Sequence, residues 1–110
     1  RVEALAQSYI RFASKNQPLF HLMFGRDVAD FSAHPTLALT AGKSWSLISA
    51  AISAGGKKEN VATLTASIWS MVHGLTGLVI DKRLKPENIG AADLSELVGK
   101  TIGLFAVHLD

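Results

Sequence analysis

Apolar residues recur at intervals of three and four along most of the chain, and nowhere do they alternate long enough to mark a strand. Val2, Leu5, Tyr9, Phe12 and Ala13 predict a first helix running to about Asn16. Pro18 ends it, because the residue before a proline is pushed out of the α region. The same proline opens a short second helix, PLFHLMFG, which Gly25 stops. The mixed, polar stretch 26–35 reads as a loop. Pro35 opens a third helix to about Ala54, with Leu37, Ala41, Trp45, Ile48 and Ile52 as its buried face. Gly55 and Gly56 close it as a C-cap pair. Asn60 is the expected N-cap of a fourth helix, from Val61 to about Lys82. After the turn LKPENIG, Asp93 and Glu96 have capping-box spacing ahead of a fifth helix that runs to about His108. The fold class is therefore all-α, with five helices in one domain.

Helix four is apolar on two sides. Val61, Leu64, Ile68, Val72, Leu75 and Val79 form one stripe; Ala62, Ala66, Trp69, His73 and Ile80 form another. A helix apolar nearly all round is buried nearly all round. Its third stripe is small: Thr63, Ser67, Ser70, Gly74 and Gly77. Helix five repeats the device with Ser95, Gly99, Gly103 and Ala106. Each helical glycine costs about 1 kcal/mol against alanine. Seams of small residues let helix backbones approach closely, and the tighter packing can offset that cost. The two seams predict a homodimer in which helices four and five pair with their symmetry mates. Crossings within one chain are the competing explanation.

Composition narrows the function. The chain has 110 residues, 48% of them hydrophobic, enough for one packed domain. It has no cysteine, which removes disulfides, thiol catalysis and Cys-ligated zinc, and suits a reducing cytoplasm. The net charge is only +2, and the basic clusters, Lys57-Lys58 and Lys82-Arg83-x-Lys85, fall in loops. No broad basic stripe marks a nucleic-acid surface. The apolar stretches are broken by Ser, Thr, Gly or His short of the ~18 residues of a membrane span, so no membrane partner is expected. His21, His34, His73 and His108 show no metal-ligand spacing. No nucleophile, base and orienting acid lie together in sequence, since Asp81 is about 12 Å along a helix from His73. No enzyme activity, metal or cofactor is expected.

The run Trp69-Ser-Met-Val-His73-Gly74-Leu75 follows Tyr9-x-x-Phe12-Ala13 and Pro18-Leu19-Phe20-x-Leu22-Met23-Phe24. In that order these residues resemble the C-terminal domain of TetR-type transcriptional regulators, and within them a branch named for a Trp, His, Gly signature. The resemblance implies an effector-binding and dimerisation domain whose last two long helices build a four-helix bundle across the dimer. It implies a cavity enclosed by the earlier helices, with a ligand that differs between members. It also implies a helix-turn-helix DNA-binding head on the N-terminal side. The chain opens at Arg1 already in helical register, with no capping residue ahead, so a longer parent protein is expected.

Large, adaptable side chains mark the candidate pocket: Tyr9, Phe12, Phe20, Met23, Phe24, Trp45, Trp69 and His73. Mostly apolar walls with a few polar handles suit a small hydrophobic or aromatic effector. His73 has two open readings, a packed histidine bonded to a backbone carbonyl or a polar group facing the cavity. A core with no cavity at all, serving dimerisation alone, is the alternative function.

Overall fold

Helix α1 spans Val2–Lys15, and its buried stripe is Val2, Ala6, Ile10 and Ala13. In this computed structural model the described residues are 2–24, 35–56 and 59–106, with side chains described for all but 22–24, 35–41 and 106. The expected Gly25 stop, the 26–35 loop, the Lys57-Lys58 pair and the helix end at His108 lie outside the described residues. So do the side chains of Met23, Phe24, Leu37, Ala41 and Ala106. α2 spans Gln17–Phe24, α3 Pro35–Ala54, α4 Val61–Ile80 and α5 Leu94–Ala106, with a 3-10 turn at Pro86–Ile89. The described residues contain no strand.

α1 is the hub. It packs against α5 on one side and against α4 and α3 on the other, while α3 lies along α4. One core holds Val2, Ala6 and Ile10 of α1, Ile48, Ala51 and Ile52 of α3, Ile68, Val72 and Leu75 of α4, and Val98 and Ile102 of α5. Full burial of each such Ile or Leu contributes about 1.5–3 kcal/mol. Phe20 of α2 joins Ala13 and Ile80 in a second, smaller cluster, and Tyr9 packs on both.

The helix ends follow the expected chemistry in part. α2 begins at Gln17, just ahead of Pro18, and the Asn16 carbonyl accepts from Phe20 N–H at 3.0 Å to close its first turn. Gly55 and Gly56 donate to the Ala51 and Ser53 carbonyls, with Gly56 at φ 93°, a left-handed stop. Asp93 caps α5, its carboxylate accepting from Glu96 N–H at 2.9 Å. The Glu96 carboxylate itself sits 3.1 Å from Lys100 Nζ. Asn60 departs from expectation: its backbone is left-handed at φ 59° and its side chain makes no cap bond. Only its carbonyl serves α4, accepting from Leu64 N–H at 2.9 Å. α4 ends at Ile80 rather than Lys82, through a Schellman pattern: Arg83 N–H donates to Leu78 O and Lys82 N–H to Val79 O. The left-handed position is Lys82, at φ 59°, where glycine is usual.

Within one chain α4 is buried on part of its circumference, and the face expected to meet a second subunit is open. Thr65 and Thr76 reach zero exposure, each hydroxyl donating to the carbonyl one turn back, on Val61 and Val72. Ala62, Thr63, Ser67, Ser70, Gly74 and Leu78 are exposed. α4 is long and apolar enough to cross a membrane by length and composition alone, with a mean hydropathy of 1.3, a test that the core helix of a globular domain also passes. The uninterrupted absence of charge over its 20 residues, rather than a continuous apolar run, gives that result.

Candidate functional site

Two adjoining volumes lie along α1. The inner one, of about 60 Å³, is bounded by Val2, Leu5, Ala6 and Tyr9 of α1, by Ser44, Leu47 and Ile48 of α3, and by Ile68, Val72 and His73 of α4. The outer one, of about 290 Å³, is bounded by Leu5, Ser8, Tyr9, Phe12 and Ala13 of α1, by Phe20 of α2, and by Lys43, Ser44 and Leu47 of α3. Leu5, Tyr9, Ser44 and Leu47 line both, so the two volumes are neighbours there. The inner space is worth about two waters at ~30 Å³ each. The outer one approaches the low end of small-molecule pockets, ~300–1,000 Å³.

The helical repeat explains why α1 supplies so much of the wall. Leu5, Ser8, Tyr9 and Phe12 stand at i, i+3, i+4 and i+7, a face beside the fully buried stripe. That face is half-covered, and Phe12 retains 48% exposure. On α3, Ser44, Leu47 and Ile48 repeat the same spacing, with Lys43 at the rim.

Tyr9 and His73 are the polar handles. Their rings meet edge to face at 4.8 Å, and Trp69 meets His73 in the same manner at 4.7 Å. Trp45 extends the row, edge to face with Trp69 at 5.9 Å. His73 Nδ1 lies 2.7 Å from the Trp69 carbonyl and donates to it. In the neutral ring that bond fixes the proton on Nδ1 and makes Nε2 the acceptor. Burial lowers the His73 pKa, and the Trp69 bond works partly against that. Burial pushes the Tyr9 phenol well above its ordinary value, so it remains a neutral donor. The two readings of His73 thus coincide: the ring is tied to a backbone carbonyl and also borders the inner volume.

Of the residues expected in the pocket, Tyr9, Phe12, Phe20 and His73 border these volumes. Trp45 and Trp69 do not. The two indoles meet each other edge to face, and Trp69 alone also meets His73. Met23 and Phe24 have no described side chains. Sequence reasoning missed Leu5, Ser8, Lys43, Ser44 and Leu47 because it ranked residues by size. The signal that would have found them is the half-polar edge beside each buried stripe, where a helix borders open space instead of core.

The two small-residue seams face different neighbours. A Cβ built at Gly74 or Gly77 would meet nothing within 4 Å, so no crossing among the described residues uses that side of α4. Thr63, Ser67 and Ser70 share it, and Leu78 stands on it at 44% exposure. A Cβ at Gly99 would lie 3.7 Å from the Glu3 carboxylate, and one at Gly103 would lie 3.5 Å from it. The Gln7 side-chain amide donates to the Ser95 carbonyl at 2.8 Å. The Ser95, Gly99 and Gly103 edge of α5 therefore lies against α1 of the same chain, the intrachain alternative raised by the sequence. Among the described residues no group of three or more His, Asp or Glu could hold a metal.

A family model described as tetracyclin repressor-like, C-terminal domain, matches residues 2–102. No curated protein and no solved structure shows significant similarity to the chain.

Proposed function

The chain belongs to the tetracyclin repressor-like C-terminal domain family, and on that premise we propose that it is the effector-binding and dimerisation domain of a TetR-type transcriptional regulator. Domains of this family are regulatory rather than enzymatic. The carrying observation is the pair of neighbouring, mostly apolar volumes along α1, with Tyr9 and His73 among their polar side chains. A small, largely hydrophobic effector fills them. The alternative is a dimerisation module that takes no effector, for which these volumes have no use.

The effector acts through α1. This helix is at once a wall of the site and the partner of α5, α4 and α3, so occupancy that moves it moves the rest of the domain. A cytoplasmic parent protein carries its DNA-binding head N-terminal to α1, and the head spacing across a homodimer follows the position of this helix. Half-sites lie about one DNA turn apart or a multiple of it, so small shifts change operator fit. A ligand moves the balance only by binding one arrangement better than the other.

The second subunit docks on the uncharged outer face of α4, Thr63, Ser67, Ser70, Gly74, Gly77 and Leu78. What supports this is a 20-residue helix with no charged side chain and nothing of its own chain against its glycines.

A panel of small hydrophobic and aromatic compounds tests the effector site. Members that fit raise the melting temperature and change the fluorescence of Trp69, whose ring lies 4.7 Å from His73. A panel in which no compound does either contradicts the reading.

A further inference from the structure

Charge is distributed unevenly around the two volumes. Lys43 is the one charged side chain among the described residues that border them, and no Asp or Glu does. It borders only the outer volume and is itself exposed. The described ion pairs, His21 with Asp81 and Lys100 with Glu96, do not involve it. Ser8 stands on the same outer wall. The inner volume is bounded by buried Val2, Ala6, Ile48, Ile68 and Val72 and by the neutral polar side chains of Tyr9, Ser44 and His73, so a charged group there would meet no opposite charge among the described residues to offset its desolvation. Among the described residues formal charge therefore stands only at the Lys43 rim, and both volumes are otherwise mostly apolar, as the two ends of an amphipathic anion require.

We propose that the effector is an amphipathic organic anion, a medium-chain carboxylate whose head pairs with Lys43 and whose apolar chain passes between Leu5 and Leu47 into the inner compartment. This rests on the effector-site reading above. A cationic amphiphile would set its charge against Lys43, with no acid among the described lining residues to compensate. A neutral one would fill the apolar path but leave the lysine with water alone. Tyr9, at the junction, stays a neutral donor and does not oppose an anion. Volumes of about 60 and 290 Å³ are of the size that a single chain of medium length fills. Because the lysine is exposed, the pairing is modest and sensitive to salt.

Three ligands with one tail separate the terms: decanoate, decanol and decyltrimethylammonium, each below its micelle-forming concentration. Binding is read from tryptophan fluorescence and the shift in melting temperature, on the unaltered chain, Lys43→Gln and Lys43→Glu. Decanoate is expected to bind about fivefold tighter than decanol, with the cation weakest. Lys43→Gln removes the preference for decanoate and leaves decanol unchanged; Lys43→Glu reverses the order of anion and cation. Equal binding of decanoate and decanol in all three proteins overturns this inference and leaves the effector site standing. Failure of all three ligands to bind overturns both.

Discussion

Tyr9 and His73 meet edge to face at the boundary between core and open space, and burial drives both toward their neutral forms. Tyr9 is the chain's one tyrosine, so its ionisation can be followed directly. Absorbance of the tyrosinate should rise only above the ordinary phenol value of about 10. For His73 the sign follows from proton binding. Its folded value is lowered, so the unfolded chain takes up the proton first as pH falls. The stability it contributes is complete above about pH 6.5, the unfolded value, and is lost as pH drops from there through the folded value. The melting temperature of the unaltered chain should fall over that window relative to His73→Gln. Parallel pH curves for the two would contradict a buried, neutral His73. This pair of handles was legible in the sequence, because a tyrosine and a histidine stood alone among apolar helical stripes. Lys43 and Leu47 were not, because a lone lysine and an exposed leucine look alike whether they border a groove or bulk solvent. Lys82 was equally hidden, since a helix stop at left-handed geometry normally announces itself as glycine.

Helices α4 and α5 carry the same small-residue device for different purposes. On α5 the glycines lie under Glu3 of α1, where a methyl group would be in ordinary van der Waals contact. On α4 they face away from every described residue. Substitution by alanine distinguishes the two. Gly99→Ala should stabilise the chain by up to about 1 kcal/mol through helix propensity, whatever its oligomeric state. Gly74→Ala would give the same gain if that face met only water. With a second α4 packed closely on it, the added methyl should instead weaken the dimer, seen as a dissociation midpoint at higher protein concentration. A Gly74→Ala variant that is simply more stable, with unchanged mass in solution, would contradict the dimer face. Periodicity alone made both seams visible. Which neighbour each one meets depends on how α1 is laid across the other helices, and the spacing of residues along one helix does not carry that.

The molecule is a slab of 38 × 36 × 17 Å, barely two helix layers thick. Its radius of gyration, 14.2 Å, exceeds the roughly 13 Å of a compact chain this long. A thin slab has too little interior for five helices, which is why α4 keeps a full uncharged face outside and Leu104 of α5 is 78% exposed. The number and order of helices could be read from apolar spacing because each buried stripe repeats locally. The surroundings of α4 are less legible: a small, uncharged face reads as interior, and among the described residues nothing of its own chain covers it. The same flat build makes α1 a shared beam between the two volumes and α5, the route by which the proposed effector would act on the domain.

Methyl-resolved NMR during titration with a bound compound tests the central claim most directly. Saturable shifts should appear at Leu5, Leu47, Ile48, Ile68 and Val72, which border the two volumes, and should be largest there. Shifts confined to Leu78 and Leu104 on the exposed faces, with the groove methyls unmoved, would contradict an effector site along α1.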